Sequence, residues 1–149
     1  MRFDRGSDTA AAAALARASD VAVVFVATTS SEGSDRKSLN LDDNGNALVA
    51  AVAAVNHNTV VVAATPGALL TPWRDAVKSL VVNFMSGQEG GNAIVQVLFG
   101  KVNPSGKLPI TFPRIDNEIN FTKQQYPGTF PDKANPQQQE AIFSEKLLV

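Results

Sequence analysis

The sequence has no cysteine and a single histidine, His57. The absence of cysteine excludes disulfides, thiolate metal ligands and a cysteine nucleophile. A Ser-His-Asp triad would depend on His57 alone, and a metal site built from several histidines is excluded. His57 follows a predicted helix and lies between two asparagines, a position typical of a capping or surface residue.

The chain also lacks a basic surplus and a long apolar run. Thirteen lysines and arginines stand against fourteen acidic residues, a net charge of -1, so the basic surface of a nucleic-acid-binding domain is missing. No run approaches the roughly 18 apolar residues of a membrane span. Residues 1–18 resemble a signal peptide only faintly, because Arg17 interrupts their apolar part. We interpret them as an alanine-rich helix, and we expect neither nucleic acid nor a membrane as a partner.

Helical and strand patterns alternate along the first part of the chain. The 149 residues suit one domain, and 44% of them are hydrophobic, enough for a core. Apolar β-branched runs predict strands, and helical spacing or propensity predicts helices. In order, the predictions are a helix at 9–18, a strand at 21–26, a helix capped by Asp42 or Asp43 and running to 55, a strand at 59–64, a strand at 79–85 and a helix at 92–99. This order predicts an α/β fold with a mostly parallel sheet between helices. The run 21–26 is apolar throughout, which predicts that both of its faces are covered.

Three loops, at 28–41, 65–73 and 86–91, follow the predicted strands. Parallel strands end at the same edge of a sheet, and open α/β sheets bind ligands at that edge. The third loop is glycine-rich and opens a helix, so its amides are suited to an anion or a polar ligand. It matches no nucleotide-binding pattern, and its Gln88 and Glu89 are equally suited to fixing the turn.

The first of these loops carries Glu32, Asp35 and Arg36. Gly33 leaves the carboxylate of Glu32 uncrowded, so Glu32 is a candidate general acid/base, although on spacing alone a solvated loop glutamate is favoured. Asp35 and Arg36 either hold the loop through an ion pair or bind a polar ligand such as sugar hydroxyls. In the second loop, Trp73 is suited to stacking on a sugar, but packing in a core or an interface is favoured.

The composition changes after Pro113. Residues 115–140 are polar, lack periodicity and predict a surface arm, and the apolar pattern returns at 141–149. The predicted organisation is an α/β domain at 1–113, then a polar arm and the start of a final apolar segment at 114–149. The arm contains one N-glycosylation triplet, Asn120-Phe121-Thr122.

Several stretches together resemble the C-terminal α/β domain of glycoside hydrolase family 3, the family of many β-glucosidases and β-xylosidases. They are ASDVAVVFV (18–26), SSEGSDRKSLNL (30–41), NTVVVAATPGALLTPW (58–73), SGQEGGNAIVQVLFGKVNPSGKLPITFP (86–113) and FSEKLLV (143–149). The order and spacing agree, and QEGG…LFG…NPSGKLPITFP is the most specific part. The family usually has proline before GQEGG, where this chain has Ser86.

The resemblance implies a sandwich with a mostly parallel six-stranded sheet, packed against a TIM-like barrel with the active site between the two. In the family the barrel supplies the aspartate nucleophile, and in many members the second domain supplies the acid/base glutamate. Glu32 matches that glutamate, and Asp35 and Arg36 become predicted substrate contacts. The implied function is part of a retaining β-glycosidase acting on β-linked glycosides, with no metal or organic cofactor. Relative to the family domain, we expect truncation at both ends.

Two other classes of function stay open. A non-catalytic module would bind a carbohydrate or a partner chain through the strand-end edge, with Trp73 and other apolar surface uncovered there. A flavodoxin-like domain unrelated to sugars is a further alternative, which the motifs disfavour. Because family members are often secreted or periplasmic, that location is weakly favoured.

Overall fold

The computed structural model describes residues 1–131, 134–135 and 137–141. These fall into two compact units, which divide between Asp116 and Asn117. No helix in the described part of the chain has both the length and the apolar character needed to cross a membrane.

The first unit alternates helices with parallel strands. Its elements are α1 (Thr9–Arg17), β1 (Ala22–Ala27), α2 (Gly45–Ala53), β2 (Thr59–Ala64), a 3-10 turn (Arg74–Ala76), β3 (Ser79–Val82) and α3 (Gly90–Leu98). The strands form one parallel sheet in the order β1-β2-β3, with Val24 beside Val61 and Val61 beside Leu80. The predicted α/β fold with a parallel sheet is confirmed. Three of the six strands implied by the family resemblance are present in the residues described.

Helix α1 begins where the sequence predicts. The carboxylate of Asp8 accepts hydrogen bonds from the amides of Ala10 and Ala11, which satisfies donors that the first turn leaves open. The following alanines have high helix propensity and little bulk. Ala12 and Ala16 are buried, so α1 lies close to its neighbours.

The core lies between one face of the sheet and the first two helices. Helix α2 contacts α1, β1 and β2. Val49 of α2 and Val61 of β2 are fully buried, and Leu69 from the loop after β2 joins them at 0% exposure. These residues belong to the same apolar cluster, so the strand-end loop shares the core of the helices and the sheet.

The prediction that both faces of the first strand are covered is wrong. Ala22 and Val24 are buried, but Val23 and Phe25 on the opposite face are 42% and 62% exposed. Register places Phe25 beside Val62, which is only 2% exposed, so the uncovered area lies at the β1 side of that face. An apolar run does not reveal how many layers cover a strand, because those layers come from segments that are distant in the sequence.

The second unit is built from turns in its described residues. Thr129 and Glu140 form one isolated antiparallel bridge, with N–H to O=C distances of 2.7 and 2.9 Å. The predicted final apolar segment lies outside the described residues apart from Ala141, and so does the family-like stretch 143–149.

Candidate active site

The loop Thr28–Asn44, called the first loop from here on, connects β1 to α2 and is closed at its base. The Thr29 amide donates to the Asp42 carboxylate at 2.7 Å, and the Asp42 amide donates to the Ala27 carbonyl at 3.1 Å. The prediction that Asp42 or Asp43 caps α2 is wrong, because Asn44 occupies that position without a side-chain cap. The Asp42 side chain closes the loop instead.

Glu32 lies at the tip of a small turn in the first loop. Ser31 and Ser34 form an antiparallel bridge, which leaves Glu32 and Gly33 as the two central residues. Gly33 has φ +74°, and Glu32 is not among the residues with positive φ, which is the pattern of a type II turn. Glu32 is exposed and makes no hydrogen bond to any described residue. The turn therefore presents a carboxylate to solvent on a short, defined support.

Arg36 joins the first loop to the loop Thr65–Trp73, called the second loop. Its Nη2 atom donates to the Ala68 carbonyl at 2.9 Å, and Nη1 donates to the Thr28 hydroxyl at 3.3 Å. The Thr28 and Thr65 hydroxyls are 3.4 Å apart. These contacts place the first two loops side by side at one edge of the sheet, as their positions after parallel strands predict. Among the residues that the structure describes, the half-buried guanidinium is bound to a carbonyl and a hydroxyl, not to a carboxylate.

The second loop turns its apolar residues into the core. Leu69, Leu70 and Trp73 are 0%, 6% and 4% exposed. The Trp73 indole N–H donates to Asn46 Oδ1 at 2.8 Å, and the Leu70 amide donates to the Leu39 carbonyl at 2.8 Å. The interpretation of Trp73 as a packing residue is confirmed. The alternative in which a non-catalytic module leaves Trp73 uncovered is wrong on that point.

A polar surface depression of about 490 Å³ is formed by the first loop itself. Its lining is Thr29, Ser30, Ser31, Ser34, Asp35, Arg36, Lys37, Ser38, Asn40, Leu41 and Asp42. Asp35 and Arg36 thus share one depression, while Glu32 lies outside its lining at the neighbouring tip. Hydroxyl, amide and carboxylate groups at such a density suit a ligand with many hydroxyl groups.

The third loop, at 86–91, and His57 contribute less to the candidate site than the first two loops do. Glu89 accepts a hydrogen bond from the Asn92 side chain at 2.6 Å, as expected of a residue that fixes the turn before α3. His57 is exposed, whereas its neighbour Asn56 is buried and donates to the carbonyls of Ala16 and Ser19. Asn56, and not His57, therefore makes the side-chain hydrogen bonds to the carbonyls at the end of α1.

Sequence reasoning missed the two threonines beneath Arg36. Thr28 and Thr65 each follow the last alanine of a strand, and Ala27 lies beside Ala64 in the register. Matching hydroxyl residues one position beyond two parallel strands are a signal that was available in the sequence. Asn46, which holds Trp73, had no comparable signal because its role depends on tertiary contact.

Arg36 is testable as the link between the two loops. Replacing Arg36 with methionine should lower the free energy of unfolding by about 1.5–3 kcal/mol, because charge-assisted hydrogen bonds to Ala68 and Thr28 are lost. Lys37→Met removes an exposed neighbouring cation, and we expect a change within about 0.5 kcal/mol. Urea unfolding of both variants checks this, and equal midpoints would show that Arg36 does not hold the loops together.

Comparison with known proteins gives one family. The model for the glycosyl hydrolase family 3 C-terminal domain matches residues 2–149. Beta-glucosidase B of Emericella nidulans is 44% identical over 141 residues, which cover 91% of this chain and 17% of that protein. A beta-glucosidase of Schizophyllum commune is 40% identical over 154 aligned positions, which cover 96% of this chain and 77% of that protein.

Solved structures agree with the sequence comparisons. DesR, a beta-glucosidase from Streptomyces venezuelae in complex with D-glucose, superposes with a TM-score of 0.73 at 37% identity and covers 81% of this chain. A glycoside hydrolase family 3 beta-glucosidase from Neurospora crassa superposes with a TM-score of 0.70 at 37% identity and covers 82% of this chain. The chain spans 16% and 15% of those two proteins. The resemblance inferred from sequence is confirmed.

Proposed function

This chain belongs to glycoside hydrolase family 3, whose C-terminal domain it represents, and from this premise we propose that it supplies the acid/base loop of a retaining β-glycosidase. The reaction is hydrolysis of the O-glycosidic bond of a β-linked glucoside or a similar sugar, from its non-reducing end. The names of the similar proteins, all beta-glucosidases, support this choice of substrate class.

The observation that carries the proposal is the presentation of Glu32. Its carboxylate stands exposed on a two-residue turn at the strand-end edge, and the base of its loop is closed by Asp42 and tied to the second loop by Arg36. A group that exchanges protons with a substrate needs both access and a fixed support. The first loop combines the two.

Retaining glycosidases use two carboxyl groups about 5–5.5 Å apart, one as nucleophile and one as acid/base. Asp35 is on the same loop but lines the depression, whose lining does not include Glu32. We therefore assign the nucleophile to a residue outside these 149 positions, on a TIM-like barrel that faces the turn. Such a barrel takes about 250 residues.

Each half of the reaction uses Glu32 once. In the first, the outside carboxylate attacks the anomeric carbon while Glu32 gives its proton to the glycosidic oxygen, and the alcohol departs. In the second, Glu32 takes a proton from water as that water attacks the same carbon and frees the nucleophile. Asp35 accepts hydrogen bonds from sugar hydroxyls in the depression, and the N–H groups of Arg36 not used on Ala68 and Thr28 donate to them.

Reconstitution tests the division of the active site. We expect the 149-residue chain alone to leave 4-nitrophenyl β-glucoside and β-xyloside intact, and to hydrolyse at least one when mixed with the barrel domain of a family 3 relative. The matched control is the same mixture with Glu32→Gln, whose binding to the barrel should be unchanged.

The other outcomes identify which part is wrong. Hydrolysis by the chain alone would place a second carboxylate within it and refute the outside nucleophile. A stable complex that binds glucose without turnover would favour the non-catalytic carbohydrate-binding module, for which the polar depression is the supporting observation.

A further inference from the structure

The turn Asn117–Thr122 in the second unit is built by Asn117. The Asn117 side chain accepts a hydrogen bond from the Phe121 amide at 2.6 Å and donates to the Phe121 carbonyl at 3.0 Å. Its carbonyl accepts from the Asn120 amide at 2.9 Å. The backbone of Asn120 is thus held by a neighbour, and its own side chain is not needed for the turn.

The side chain of Asn120 is accessible in this turn. It is exposed, with φ +55°, a conformation that asparagine tolerates better than most residues. Its carboxamide makes no hydrogen bond to any residue that the structure describes. The side chains of other asparagines are engaged in hydrogen bonds. Asn46 binds Trp73, Asn56 binds the end of α1, and Asn92 binds Glu89.

We propose that Asn120 is an N-glycosylation site, with an N-linked oligosaccharide as the attached group. Asn120, Phe121 and Thr122 form the acceptor triplet, in which the middle residue must not be proline. The Thr122 hydroxyl is exposed and donates to Gln125 Oε1 at 3.1 Å, so it is ordered beside the acceptor. Bulky glycans require a surface position, and this turn provides one.

The co-substrate of the transfer is an oligosaccharide linked to a lipid pyrophosphate, which is the leaving group. Nδ2 of Asn120 forms a bond to the anomeric carbon of the first sugar. The bond from that carbon to the pyrophosphate oxygen breaks, and its electron pair leaves with the lipid pyrophosphate. The amide nitrogen loses one proton to a base of the transferase.

The flanking side chains sharpen the proposal. Ile119 and Phe121 are 60% and 47% exposed. A glycan on Asn120 lies over both and gives them an apolar sugar face to pack on.

The chain contains a matched negative control. Asn103, Pro104 and Ser105 have the same spacing of asparagine and hydroxyl, and all three are exposed, but proline blocks the middle position. Asn103 therefore shows whether an exposed asparagine is glycosylated when its triplet is not permitted. The substitution Pro104→Ala turns the same triplet into a permitted acceptor.

The experiment uses the 149-residue chain, directed into the secretory pathway of a eukaryotic host and extended by a flexible tail with one strong acceptor triplet. Only secreted chains whose tail carries a glycan are collected, so every analysed molecule has met the transferase. After the tail is cleaved off, intact mass and peptide N-glycosidase treatment count and locate the remaining glycans. We expect one, at Asn120.

Variants decide the assignment. Asn120→Gln and Thr122→Ala should each lose the mass of one glycan, whereas Thr122→Ser should keep it because the hydroxyl remains. Pro104→Ala should gain a second glycan, at Asn103. Collected wild-type chains without a glycan on Asn120 would overturn the proposal, and so would a glycan that persists in both Asn120→Gln and Thr122→Ala.

Discussion

Replacing Glu32 with alanine in the complete enzyme should slow hydrolysis of glucosides with poor leaving groups by about 100- to 10,000-fold. Such substrates need the glycosidic oxygen protonated before it can depart. The kcat/KM for an activated aryl glucoside reports the first step alone and should fall far less, because 4-nitrophenolate leaves without a proton. Its kcat should still fall, since no base remains to activate water in the second step.

Azide distinguishes this loss from general damage. A small anionic nucleophile needs no base, so it should restore kcat for the activated substrate and yield β-glucosyl azide. The control is Asp35→Ala, which removes a proposed contact to sugar hydroxyls from the same loop. This variant should weaken the binding of all substrates alike, and added azide should not restore its activity. Equal losses of Glu32→Ala on both substrates, with no azide product, would contradict the acid/base role.

The role of Glu32 could be predicted only through the family resemblance. The spacing Ser-Glu-Gly-Ser predicts a turn, and the structure has one at Ser31–Ser34. Nothing in that spacing separates a catalytic carboxylate from a solvated one, because the distinction depends on a group that approaches from elsewhere. Local pattern alone predicted the bounds of β2, Thr59–Ala64, but it was less accurate for the other two strands. It ended the first strand at 26 and the third at 85, whereas β1 ends at Ala27 and β3 at Val82.

Tertiary contacts explain what the sequence left open. Arg36 was predicted as an ion-pair or ligand-binding residue, and its observed partners are the Ala68 carbonyl and the Thr28 hydroxyl. A carbonyl 32 positions away leaves no trace in side-chain chemistry, so no pattern could reveal it. The exposure of Phe25 has the same origin, since the layers over a strand are set by distant segments.

The second loop shows how an apolar loop can serve a polar site. It was predicted as one of three loops that line the strand-end edge, yet Leu69 and Trp73 point into the core. Ala68, one position before Leu69, offers its carbonyl to Arg36. Core packing therefore fixes the backbone to which the first loop is tied, and the position of Glu32 depends on residues that are buried in the core.

Replacing Leu69 with alanine should consequently affect both stability and the site. Leu69 is fully buried, so the lost burial and the cavity should lower the free energy of unfolding by about 2–5 kcal/mol. Leu108→Ala makes the same chemical change at a residue that is 53% exposed, and we expect a shift within about 0.5 kcal/mol.

Urea unfolding followed by two probes tests this, since coincident transitions are needed to compare the variants as free energies. In the complete enzyme, Leu69→Ala should also reduce kcat at temperatures where the fold is intact, because the support of the Arg36 contact moves. Similar stability for the two variants would mean that the second loop is not anchored in the core.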